Sequence, residues 1–267
     1  MKESPKEKEK YGFNQLIKTL ELSEQELKDR VKVYLQKCPD LLYKGDIVTK
    51  DKKASTRENG YLTTDTKKPF CEIITNILLK EKLNIQKIDE QNATYNLGSR
   101  KEKIENLSSN FDENLKYCTN EKGKVSETKL VHCLCKQKNF ADYTAVDFQI
   151  PTKNSGKDNI DFLLKDINNY FYMVEVKTFN SDESLLRCVL EIETYFRKIN
   201  NNFYSRYKIL NDENNQYKLK KAVMFDKDSF AFENLSTSWG QSLIKYFEIT
   251  VFLLSKAKNK FVIEKFK

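Results

Sequence analysis

The segment 156–177 constrains the fold of this chain more than any other. It contains two short β-rich apolar runs, 160–164 and 170–176, joined by an Asp-Ile-Asn-Asn connector with turn chemistry. In the second run side chains alternate, so Glu175 and Lys177 share one face while Val174 and Val176 fill the other. A strand that apolar has no folding reason to end with two charges on one face. Pairing of the two runs would bring Asp161 beside both. Two carboxylates and a lysine can hold a divalent metal and set a water against a phosphodiester.

The chain has 267 residues, enough for one large domain or two small ones with a real core. Its 47 Lys+Arg against 39 Asp+Glu leave a formal charge of +8, a surplus that suits a polyanionic partner without identifying one. Six cysteines, at 38, 71, 118, 133, 135 and 188, show no framework spacing, and a chain of this length needs no disulfide staples. The first ten residues are charged, unlike a secretory leader, and predict a disordered start. The longest apolar candidate, 249–255, is strand-sized, so no membrane partner is expected. Together these features predict a reducing, cytoplasmic setting.

His132-Cys133-Leu134-Cys135 has the residue types of a metal cluster, but the chain has a single histidine and no CxxC pair to complete a zinc site. On a helix over 127–137, Leu130, Leu134 and the cysteines form an apolar stripe, which predicts core packing. A lone histidine also argues against catalysis by histidine general bases.

Upstream, the pattern predicts helices over 11–20 and 24–36, the second capped by Ser23 with Glu26 three residues later. Their spacing is loosely that of a helix-turn-helix, but Lys28, Arg30, Lys32 and Lys37 alternate with acids, which dilutes any basic face. Residues 44–69 are polar and turn-rich, with Asn59-Gly60 a hairpin-turn signal. A helix after Pro69 has Ile73, Ile74, Ile77 and Leu78 as its stripe, and 84–125 give no clear pattern. From 119 the signal sharpens. It predicts a Ser126-capped helix over 127–137, a strand over 143–150, a polar turn over 151–158, and strands over 160–165 and 170–177. A helix opened by Ser181-Asp182-Glu183 runs to about 200, with strands over 220–225, 249–254 and 261–266 and a helix near 241–247. The chain is thus expected to divide into a mostly helical accessory region, 1–118, and a catalytic-type α/β domain, 119–267.

The order helix, three strands, helix, strand over 126–225 resembles the core of the PD-(D/E)xK nuclease superfamily, the restriction-endonuclease-like fold. The resemblance rests on Ile160-Asp161-Phe162-Leu163-Leu164 and Val174-Glu175-Val176-Lys177, separated by a gap that suits a hairpin. It implies a mixed α/β sheet flanked by helices, an αβββαβ core. It further implies that Asp161, Glu175 and the Val176 carbonyl bind Mg²⁺, with Mn²⁺ as a substitute, while Lys177 orients the attacking water. Many members carry a glutamate on the preceding helix, where Glu127 stands; a first-turn glutamate favoured by the helix dipole explains it equally well. One branch has Gln-x-x-x-Tyr on the following helix, where this chain has Glu191 and Tyr195, a departure that a solvated helix face would explain. The family's Pro-Asp pair is absent, since Asn159-Ile160 precedes Asp161, and Asp147 and Asp158 are acids that would replace Asp161 if the register slipped.

Two functions follow from that resemblance. The first is a Mg²⁺-dependent nuclease acting on DNA, for which a homodimer would supply the two sites needed to cut a duplex. The second is a catalytically inactive module of the same fold that binds nucleic acid or a protein. Arg206 and Lys208, set among Phe203, Tyr204 and Tyr207, form the best strip for stacking and charge contact with a nucleic-acid strand, though tyrosines after a helix commonly pack.

Overall fold

The computed structural model of the chain describes residues 23, 25–26, 28–29, 31–32, 70–82, 126–151, 159–199, 201–211, 218–257 and 260–267. The expected helix over 11–20, the Asn59-Gly60 turn, the stretch 84–125 and Asp158 lie outside them. A seven-stranded sheet runs in chain order: β1 (Asn139–Phe140), β2 (Tyr143–Pro151), β3 (Asn159–Asp166), β4 (Phe171–Val176), β5 (Leu219–Phe225), β6 (Ile249–Ala257) and β7 (Lys260–Lys265). The β4–β5 and β5–β6 pairs are parallel and the others antiparallel. Helices that accompany it among the described residues are α1 (Phe70–Lys80), α2 (Glu127–Gln137), α3 (Leu185–Lys198), α4 (Asn201–Tyr207), α5 (Phe230–Leu235) and α6 (Ser238–Tyr246). This is the mixed α/β class expected, with the order α2, β2, β3, β4, α3, β5 over the segment singled out above.

Local chemistry explains the boundaries. Ser126 starts α2 by accepting the Lys129 N–H at 3.3 Å, and Lys138, at φ 65°, ends it. Ser23 and Glu26 form a reciprocal capping box, at 3.2 and 2.7 Å, where residues 25–26, 28–29 and 31–32 are helical. The turn between β3 and β4 is fixed by Asp166, whose Oδ1 accepts the N–H of Asn168 and of Tyr170, both at 2.9 Å. Parallel pairing of β4 with β5 needs a crossover, which α3 and α4 supply.

Every residue of β4 is buried because helices cover both faces of the sheet. On one side α2 packs over Phe148, Phe162, Leu164, Val174 and Val176. On the other, α3, α5 and α6 cover Leu163, Met173, Val223 and Val251. Val31 and Ile74, Ile77 and Leu78 of α1 enter this second core, so residues from both sides of the boundary expected at 118 fill one apolar cluster. The sheet coils until its edge strands β1 and β7 lie near each other. Gln137 covers the β7 edge, donating to Phe261 O at 2.8 Å and accepting its N–H at 2.7 Å.

Four features depart from the expectation. The helix after β4 begins at Leu185, with Ser184 rather than Ser181 as its cap, because the Ser184 hydroxyl accepts the Arg187 N–H at 3.3 Å. Ser181 is instead tied to α5, its carbonyl accepting the Phe230 N–H at 2.9 Å. Ile199 leaves the helix in extended conformation, so α4 is a separate element, and β1 and α5 were too short to show a period. Cys133 is buried as expected but is disulfide-bonded, whereas Cys71, Cys135 and Cys188 are buried thiols. Among the described residues no helix is long and apolar enough to cross a membrane.

Gly240 lets α6 start directly against the end of α5: a Cβ there would meet the Asn234 carbonyl oxygen at 2.0 Å. Helix propensity alone favours Gly240→Ala by about 1 kcal/mol. The backbone contact reverses the sign, and the variant is expected to lose about 1–3 kcal/mol in urea unfolding.

Candidate metal centre

The carboxylates assemble where the β3–β4 ladder ends. Its last pair is Phe162↔Val174, and the next pair in that register would set Asp161 opposite Glu175. Like charges directly across a ladder repel. The strands part there, and the Asp161 carboxylate takes up the freed backbone: Oδ2 accepts the Val176 N–H at 3.0 Å. Oδ1 accepts the side-chain amide of Gln149, from β2, at 2.9 Å. Glu175 follows on β4, and Lys177 is held just past the strand end by its N–H, which donates to Met224 O at 2.8 Å.

Both covering helices contribute. Glu127 stands in the first turn of α2 and Glu191 lies on α3. Lys177 is 2% exposed and its ammonium lies 2.6 Å from Glu175, 2.9 Å from Glu183, 3.2 Å from Glu191 and 3.3 Å from Glu127. Tyr195 donates its hydroxyl to the other oxygen of Glu191 at 3.1 Å, and Arg187 Nε lies 3.3 Å from Glu183. Ligand oxygens of Glu127, Asp161 and Glu175 all fall within 4.8 Å of one another.

Five carboxylates therefore face two cations, Lys177 and Arg187. The imbalance is visible in the titration of the group. Burial on its own would lower the lysine; Glu175, Glu191, Glu183 and Glu127 reverse this and hold it well above the usual range. Burial lifts Asp161 to about 7 against the pull of Lys177, with Glu127 adding to the rise. Burial, Asp161 and Glu191 push Glu175 well above the carboxylate range, and burial raises Glu127 as well. Glu191 goes the other way: burial would raise it, but Lys177 and Arg187 prevail and it is lowered. Glu175 Oε2 is buried with no amine, amide or hydroxyl donor, and the Glu175 carboxyl lies within hydrogen-bond reach of Glu191. A carboxylate oxygen in that position is satisfied only by a proton or by a cation.

The structure thus brings together Asp161, Glu175, Lys177 and Glu127, and of the two readings of Glu127 it favours a place in the cluster. Glu191 and Tyr195 belong there too, which corrects the solvated-face reading: their helix turns that side toward the buried lysine, and Tyr195 is 5% exposed. Asp147 is not part of the cluster, since it accepts the Phe148 N–H at 2.8 Å and the Tyr207 hydroxyl at 2.5 Å. Arg206 and Lys208 do not contact these carboxylates. Arg206 lies over the Tyr207 ring, 5.8 Å from its centroid, and Phe203 is buried against Tyr204 and Tyr207, so the aromatic strip packs. Gln149, Glu183 and Arg187 were not foreseen. Glu183 was read only as part of the helix opening, and nothing in a strand pattern marks Gln149.

A comparison of the chain with known protein families, curated proteins and solved structures finds no match.

The raised carboxyls give the metal-free protein a specific pH dependence. In the unfolded chain they ionise at about 4. From there up to the folded value of about 7 for Asp161, the native state binds protons that the unfolded chain has released, so stability falls as pH rises through this window. Thermal melts in chelator are expected to show that decline, with a shallower slope in Asp161→Asn.

Proposed function

We propose that this chain is a metal-dependent nuclease with a restriction-endonuclease-like core, hydrolysing phosphodiester bonds in DNA. The observation that carries the reading is the cluster of Glu127, Asp161 and Glu175 oxygens around a buried Lys177, with Glu175 Oε2 lacking a donor. The donor set fits Mg²⁺: it is all oxygen, it is anionic in excess, and three carboxylates with one backbone carbonyl leave room for waters. Asp161, Glu175 and Glu127 would hold the ion together with the Val176 carbonyl, and Mn²⁺ would substitute. Bound there, the metal supplies a more acidic water and neutralises charge developing on the scissile phosphate.

The chain's own groups account for the remainder. Gln149 and the Val176 N–H fix the Asp161 carboxylate, so that its oxygens keep one orientation. Lys177 retains Glu183 and Glu191 as counter-charges when Glu127 and Glu175 are engaged elsewhere. Its ammonium can then donate to the attacking water or to a phosphate oxygen as a point charge. Tyr195 holds Glu191 in place for that task. The order α2, β2–β4, α3, β5 supports the fold assignment, and the +8 charge suits a polyanionic substrate. A homodimer would bring the second site needed for a duplex cut.

One observation favours the alternative of a non-catalytic binding module: Lys177 already has four carboxylate partners and stands inside a closed charge cluster. Activity separates the two. With Mg²⁺ or Mn²⁺, labelled single- or double-stranded DNA is expected to be cut, and Asp161→Ala, Glu175→Ala or Lys177→Ala to lower the rate by about 10²-fold or more. Wild-type-like cleavage in all three would sink the nuclease reading, as would failure of folded wild type to cut DNA or RNA with either metal.

A further inference from the structure

Near its C-terminal end β2 contains a backbone feature that folding alone does not call for. Gln149 has φ 47°, in the left-handed region where glycine and asparagine are at ease and a residue with a long side chain is strained. It stands between the ladder pairs Phe148↔Phe162 and Ile150↔Ile160, so that register sets it opposite Asp161. The side-chain alternation also breaks at this level of the sheet. Phe148 and Phe162 pack into the α2-side core, whereas Ile150 and Ile160, two residues along each strand, pack into the α3-side core. At this break the Gln149 amide lies 2.9 Å from Asp161 Oδ1, while the Val176 N–H holds Oδ2 at 3.0 Å.

We infer that Gln149 is a positioning residue of the metal centre, its strained backbone holding the amide against Asp161 so that the carboxylate is pre-set as a ligand. The inference rests on the metal-centre reading above and concerns Asp161 alone. A carboxylate with both oxygens hydrogen-bonded cannot rotate away from its neighbours, and each oxygen still has a lone pair for a cation. Such outer partners set the affinity of the ligands they orient. Strain retained at a single strand residue that touches the site is what such a device leaves behind.

Glycine at this position separates the two roles, because it accepts the backbone conformation but removes the amide. Mn²⁺ binding is measured by calorimetry on wild type, Gln149→Gly and Gln149→Leu, alongside melting in chelator and cleavage at saturating Mn²⁺. Wild type is expected to bind Mn²⁺. Both variants are expected to bind it about tenfold or more weakly, with Gln149→Gly melting no lower than wild type. Unchanged Mn²⁺ affinity in a folded Gln149→Gly would overturn the positioning role and leave the metal centre standing. Failure of wild type to bind Mn²⁺ at millimolar concentration would remove the metal centre itself, and the role of Gln149 with it.

Discussion

A single ammonium, that of Lys177, holds together four glutamates that a strand, two helices and a loop bring to one place. Removing an ammonium from water costs several kcal/mol, and opposite charges in good geometry are needed to offset it. Here four glutamates do so, to the point that the lysine is held charged well above its usual range. Yet the compensation overshoots. With Arg187 and Lys177 as the cations set against five carboxylates among the described residues, the group is stable near neutral pH with bound protons or with a further cation. Apolar residues of similar volume would fill this space at no electrostatic cost. The arrangement therefore makes chemical sense before it makes structural sense.

The sheet delivers these groups by failing to complete itself. Pairing of β3 with β4 stops at Phe162↔Val174, and the next residues on each strand are the two acids. Asp161 uses its own carboxylate to satisfy the Val176 N–H that the ladder leaves open. The strands stay together below through Leu163, Leu164, Met173 and Tyr172, all buried, so the opening is confined to one end. Helices on both faces then close over it, α2 with Glu127 and α3 with Glu191 and Tyr195. The late start of α3 matters here. Because Ser184 caps it, Glu183 remains in the connection from β4, within reach of Lys177.

Much of this was legible in the chain, and the reasons for the remainder are physical. The apolar runs of β3 and β4 announce buried strands, and charges at their ends announce a site, since period-two alternation places them without knowledge of anything else. Asp161, Glu175 and Lys177 could be read for that reason. Glu191 and Tyr195 could not, because a helical stripe shows which side faces the core but not that a charged group beneath it recruits the stripe's margin. Glu183 depended on which of two serines capped α3, a choice decided by packing of Ser181 against α5. Gln149 was invisible because a left-handed residue in a strand interior contradicts the very pattern by which strands are recognised. The disulfide of Cys133 was missed because the cysteines show no framework spacing from which a pairing could be read. The short elements β1, α4 and α5 offer too few residues for any period to register.

The central claim is that the excess carboxylate charge beside Lys177 is a divalent-metal site. Anomalous scattering from crystals soaked in Mn²⁺ tests it with no assumption about substrate. The account requires a manganese peak among Glu127, Asp161 and Glu175, with Glu175 Oε2 no longer without a partner. Crystals that diffract well after the soak, show no peak there and leave Lys177 bound to the same four glutamates would contradict it.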